Sequence, residues 1–117
     1  MPQSPKIMPL AMETMMPRSK PQSPLVSESI LQAQIIRHLR TAGAYVIRIR
    51  SAQNNGAPDV IACFKGKFIG IEIKSPKIAP KPSPLQKENG EQIQGSGGLW
   101  ICTNSLIDVI ALMDSIE

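Results

Sequence analysis

Aromatic side chains are scarce here: one Trp, one Tyr and two Phe in 117 residues. That scarcity excludes a platform of stacked bases as the main grip on a single strand. Histidine occurs once, as His38, and the two cysteines, Cys63 and Cys102, belong to no Cys/His cluster. A zinc site is therefore not expected. Each cysteine falls in an apolar run that reads as a strand, so both are expected to be buried thiols in a reducing compartment. No apolar run approaches the length of a membrane span, roughly 20 residues. Charge of neither sign dominates: 13 Lys/Arg stand against 9 Asp/Glu, a net of +4. Such a mild cationic bias is compatible with a polyanionic partner without requiring one.

Proline, by contrast, is plentiful and unevenly placed. Six of the eleven prolines and five of the six methionines lie in residues 1–24. No periodicity survives those prolines, and a disordered tail is expected there. The tail lacks the uninterrupted apolar stretch of a secretory signal, and Met8, Met12, Met15 and Met16 offer alternative translation starts. Residues 25–117 are expected to fold as one domain with a small core.

Ser27 is expected to cap a helix running to about Ala42, with Gly43 as its stop. Leu31, Ile35 and Leu39 form its apolar stripe, flanked by Ile30 and Ile36. Glu28 stands at the top of that inward stripe. An acid there either complements the helix dipole or reaches a functional site. Residues 45–50 read as a strand with Arg48 and Arg50 on one face and Ile47 and Ile49 on the other. Residues 51–56 form a loop rich in turn formers. Residues 75–82 form a Pro-rich basic loop. Ser83 then caps a second helix with Pro84 at its first position and Gln86 closing a capping box. A strand at 99–103 and a helix capped by Asn104 or Ser105 finish the chain. Leu106, Val109, Ile110 and Met113 form that last helix's buried face. The order α-β-β-β-α-β-α predicts a four-stranded mixed α/β sheet with helices on its faces.

The chemistry lies between residues 58 and 74. With Lys65-Gly66 as a two-residue turn closed by Phe64 and Lys67, antiparallel pairing sets Asp59 opposite Glu72. Lys74 shares the face of Glu72, because side chains alternate along a strand. Directly opposed like charges destabilise a sheet. Among Val60, Ile61, Ile71 and Ile73 an unpaired carboxylate is also expensive to bury. A divalent cation between the two carboxylates removes the difficulty, since Mg2+ favours oxygen ligands. A slip of one residue would place the two acids on opposite faces.

Taken together, these residues resemble the PD-(D/E)xK nuclease superfamily, and within it the virus-type replication–repair nuclease domain, VRR-NUC. The similarity spans residues 27–105: Glu28 on the first helix, Gly56-x-Pro58-Asp59 at a strand start, Glu72-x-Lys74 on the next strand, and Ser83-x-x-Gln86 opening a helix. It implies a restriction-endonuclease-like αβββαβ core and a Mg2+- or Mn2+-dependent deoxyribonuclease. By resemblance, Asp59, Glu72 and the Ile73 carbonyl would hold the ion, with Glu28 binding or orienting a second. Lys74 would orient the attacking water or steady the phosphate. Gln86 would orient Lys74 or touch DNA, unless its capping box is its whole purpose. Four prolines after Lys74 depart from the expected Gly-bearing turn.

The substrate implied is branched or structured DNA, of the Holliday-junction or flap type. It would be met in the cytoplasm of a bacterium or phage-infected cell, in replication, recombination or repair. No additional DNA-binding domain is visible, which favours a homodimer. Arg48, Arg50, Lys77 and Lys81 are candidates for phosphate contacts, or else solvated surface charge. Two other readings stand beside this one: a DNA-binding module that does not cut, and a nuclease subunit of a restriction-type system that needs a partner.

Overall fold

The computed structural model describes residues 24–50 and 55–117, with side chains from Glu28 onward. The expected disordered tail and most of the 51–56 loop therefore lie outside the described residues. Helix α1 (Pro24–Thr41) leads into strands β1 (Tyr45–Arg48), β2 (Val60–Phe64) and β3 (Lys67–Ile73). Helix α2 (Pro84–Gly95), strand β4 (Leu99–Thr103) and helix α3 (Leu106–Asp114) follow. The sheet order is β1-β2-β3-β4. The first two pairings are antiparallel and β3–β4 is parallel, with α2 as the crossover. This is the mixed α/β sheet expected.

The hairpin has the predicted register, with Phe64 opposite Lys67 and Val60 opposite Ile71. Its turn requires positive φ at both central residues, 53° at Lys65 and 78° at Gly66. Those signs define a primed turn, whose twist matches that of the flanking strands.

Period-two alternation then sorts the sheet into two faces. Val46, Val60, Ala62, Ile69, Ile71 and Ile73 pack with Leu31, Ile35 and Leu39 of α1 and Val109 and Met113 of α3. Ile35, Leu39, Val60, Ile69, Ile71 and Val109 are fully buried. Helix α2 covers the opposite face, where it lies unusually close. A Cβ on Gly90 would come within 2.3 Å of the Trp100 ring, and one on Gly70 within 2.8 Å of Ile93. Only hydrogen fits at either place.

Several local expectations need correction. Helix α1 begins at Pro24, not at a Ser27 cap. Proline suits a first helical turn because its missing N–H has no partner there anyway. Glu28 consequently falls beyond the first turn, and no acid occupies that turn. Ile30 is 44 % exposed instead of flanking the core. Strand β1 stops at Arg48, although the Ile49 N–H still donates to the Asp59 carbonyl at 2.8 Å. Of the two caps offered for α3, Ser105 serves, accepting from the Ile107 N–H. In α3, Val109 and Met113 are buried but Leu106 and Ile110 only partly so. Cys63 is exposed and Cys102 half-buried. Cys63 pairs with Tyr45 and Phe68, and both of those are exposed as well. No helix among the described residues is long and apolar enough to cross a membrane.

Candidate functional site

Asp59 sits one step beyond Val60, where the β2–β3 pairing ends. Its backbone is tied to β1 through Ile49. Its Oδ2 accepts the Ile73 N–H at 2.8 Å. Opposite it, Glu72 is only 2 % exposed. Burial, the hydrogen bond to Asp59 and the Asp59 charge push the Glu72 carboxyl up to about 8, with Glu28 adding to the effect and Lys74 opposing it. Its Oε2 is buried and has no hydrogen-bond partner. Leaving such an atom unsatisfied costs about 1–3 kcal/mol, a cost the fold also carries at the buried Trp100 Nε1.

Lys74 is held at both ends. Its N–H donates to the Thr103 carbonyl at 2.9 Å, extending the β3–β4 ladder past Ile73. Its Nζ donates to Gln86 Oε1 at 2.9 Å. That same oxygen accepts the Ser83 N–H at 2.8 Å, while the Gln86 N–H donates to Ser83 Oγ at 3.2 Å. Gln86 thus closes the capping box and accepts from Lys74 with the same amide oxygen. The prolines after Lys74 also find a use. Pro76 occupies the second position of a turn closed by the Ile78 N–H on the Ser75 carbonyl, and Ser75 itself is buried.

The Gly56-x-Pro58-Asp59 approach is clamped to α2. Gly56 has φ +85°, and a Cβ there would lie 2.6 Å from the Leu85 carbonyl oxygen. Asn89 Nδ2 bridges the two segments, donating to the Leu85 carbonyl at 2.9 Å and the Asn55 carbonyl at 3.4 Å. One helix thus sets the position of both Asp59 and the partner of Lys74.

Glu28 is brought within electrostatic reach, with burial and Asp59 raising its carboxyl and Lys74 lowering it. Since α1 starts at Pro24, the dipole explanation for Glu28 no longer applies. Yet among the described residues no three Asp, Glu, His or Cys side chains converge as a closed cage. Asp59, Glu72, Lys74 and Gln86 come together, and Glu28 stands at the edge. Two hard oxygen donors and an orphaned buried carboxylate oxygen still fit Mg2+, which keeps several waters and uses one or two carboxylates plus substrate phosphate. Cys102 is paired with Glu72, and burial raises its thiol. Lys77 and Lys81 lie exposed on the loop after β3, whereas Arg48 and Arg50 line a groove with Arg37 and Arg40. Sequence reasoning missed the last two, together with Asn89. The one available signal was the three-residue spacing of Arg37 and Arg40 on α1.

Opposed carboxylates and a lysine two residues on, carried by an αβββαβ sheet, define the PD-(D/E)xK nuclease superfamily. Residues 31–94, more than half the chain, match the archaeal Holliday junction resolvase family, Hjc. The chain belongs to that family. The matched segment contains Asp59, Glu72, Lys74 and Gln86 but not Glu28. A solved VRR_NUC domain, 22 % identical, superposes with a TM-score of 0.66 over 78 % of this chain and 98 % of its own, and shares the fold. No curated protein matches the chain.

Proposed function

We propose that this chain is a metal-dependent DNA endonuclease that hydrolyses phosphodiesters in branched or structured DNA, with four-way junctions as the leading substrate. The observation that carries the reading is the buried, unpartnered Glu72 Oε2 facing Asp59. Membership of a family described by junction resolution supports the choice of substrate.

Asp59 and Glu72, with the Ile73 carbonyl, would hold Mg2+ or Mn2+. When bound, such an ion supplies an activated water and neutralises phosphate oxygens. The chain's own contribution is placement. Asp59 is fixed by Ile73 N–H and Ile49 N–H. Glu72, whose carboxyl is raised in the metal-free chain, would give up its proton on holding the cation. Lys74, steadied by Gln86, presents a compact positive charge to the attacking water or the phosphate. Glu28 orients from the periphery. A homodimer suits a four-armed substrate, and the exposed Tyr45, Ile47 and Phe68 on one uncovered corner of the sheet offer an apolar surface for it.

The test is cleavage of labelled duplex, nicked, flapped and four-way-junction DNA with Mg2+, Mn2+ or EDTA, by wild type and Asp59→Ala. Metal-dependent cutting of the junction, lost in the variant, is expected. Cutting that persists in Asp59→Ala overturns the site, and no cutting of any substrate overturns the enzyme.

A further inference from the structure

Beside the carboxylates the structure carries a second charged feature. Between α1 and the edge strand runs a groove of about 490 Å3. Its walls carry four guanidinium groups: Arg37 and Arg40 from the helix, and Arg48 and Arg50 from the strand and its extension. Ala33 and Ile36 contribute to its lining. Arg37, Arg40 and Arg50 are exposed and Arg48 is half-buried. Among the described residues none of the four forms an ion pair or hydrogen bond. Four like charges gathered without a counter-ion repel one another, an arrangement that an incoming polyanion relieves.

The groove lies on the α1 side of the sheet, the face opposite the Asp59 and Glu72 side chains, because Arg48 pairs with the core-facing Val60, one residue from Asp59. Arg48 and Arg50 flank Ile49, whose N–H is bonded to the Asp59 carbonyl. Arg37 and Arg40 lie nine and twelve residues along α1 from Glu28, or about 14 and 18 Å at the helical rise. On a duplex advancing about 3.4 Å per base pair, that distance corresponds to roughly four to five base pairs.

We propose that this arginine groove is a phosphate track that holds the backbone of one duplex arm while the carboxylate site engages the scissile phosphodiester. The inference rests on the nuclease reading above and extends it to residues outside the reacting centre. The chemistry matched is that of the phosphodiester anion. Guanidinium groups bind phosphate oxygens in bidentate fashion, and contacts of this kind position a duplex without reading its sequence. The scarcity of aromatic residues argues against a stacked single strand in the groove.

The experiment measures binding apart from cleavage. Fluorescence anisotropy of a labelled duplex and a labelled four-way junction is recorded in EDTA over a series of salt concentrations. The full chain is compared with Arg37→Gln/Arg40→Gln, with the charge-retaining Arg37→Lys/Arg40→Lys, and with Lys65→Asn at the hairpin turn far from the groove. Circular dichroism confirms that each variant is folded. The glutamine pair is expected to lose roughly tenfold in affinity, with the log–log salt slope shallower by about 2, near 0.9 per lost phosphate contact. The lysine pair should recover most of that loss, and Lys65→Asn should match wild type. In Mg2+, the glutamine pair should show a raised KM and a kcat within about twofold of wild type, the signature of uniform binding. Unchanged affinity and slope in the glutamine pair overturn the track; if wild type still cuts, the nuclease reading survives that failure. A wild-type chain that neither binds nor cuts DNA overturns both.

Discussion

The two faces of this sheet obey different rules. The face under α1 and α3 is apolar and closed except along the β1 edge, where Arg48 lines the arginine groove: Val60, Ile69 and Ile71 are fully buried, and period-two alternation accounts for each of them. The face under α2 is half open. It carries Asp59, Glu72 and Lys74, leaves Tyr45 and Phe68 in solvent, and admits its helix only where Gly70 and Gly90 lack side chains. One face is built to be stable. The other leaves the Glu72 Oε2 buried without a partner, the feature on which the proposed site rests.

The closed face should break hardest. Ile71→Ala, at a fully buried position, should cost about 2–5 kcal/mol, read as a shifted denaturant midpoint. A loss under 1 kcal/mol would mean this face is looser than described. Gly56→Ala comes next, because it meets both a positive φ and a backbone oxygen 2.6 Å away. Overpacking of this kind costs about 1–3 kcal/mol, and cleavage should fall with stability since the same clamp positions Asp59.

Glu72→Gln should move the two properties in opposite directions. Cleavage should vanish, while the metal-free protein at pH 8 should gain up to about 1–3 kcal/mol by losing the buried charge. The pH dependence follows from the same group. The folded-state Glu72 carboxyl is raised from 4.5 to about 8, so between those limits the native chain keeps a proton that the unfolded chain has released. In chelator, stability should therefore be full below about pH 4.5, decline as pH rises toward 8 and level off above it. Melting temperature across that range in wild type and Glu72→Gln checks this; a wild type as flat as the variant would contradict the assignment. The smallest effect belongs to the cap. Ser83→Ala should cost about 1 kcal/mol and lower activity only modestly, because Gln86 Oε1 retains Lys74. Gln86→Ala should lower activity further at similar stability.

Much of this contrast was legible in the sequence. Lys65-Gly66 as a primed turn fixes the hairpin register, and the register alone opposes Asp59 to Glu72. Ser83, Pro84 and Gln86 announce their helix because each satisfies a specific terminal group. What escaped depended on neighbours distant in the chain. Cys63 sits in a strand that looks buried by itself, yet it is exposed beside the exposed Tyr45 and Phe68 with which it pairs. Ser27 has good capping chemistry, yet a proline three residues earlier can open the helix equally well. Arg37 and Arg40 look like ordinary polar helix positions until β1 sets Arg48 and Arg50 opposite them.

The central claim is that Asp59 and Glu72 are opposed in order to hold a divalent cation, and calorimetric titration of the metal-free chain tests it most directly. Mn2+ is added at pH 7 in two buffers of different ionisation enthalpy. Because the Glu72 carboxyl stands near 8 without metal, binding should release close to one proton, roughly 0.9 at this pH. Asp59→Ala should abolish the uptake. Absence of binding, or binding of equal strength with no proton released and undiminished in Asp59→Ala, would contradict the account.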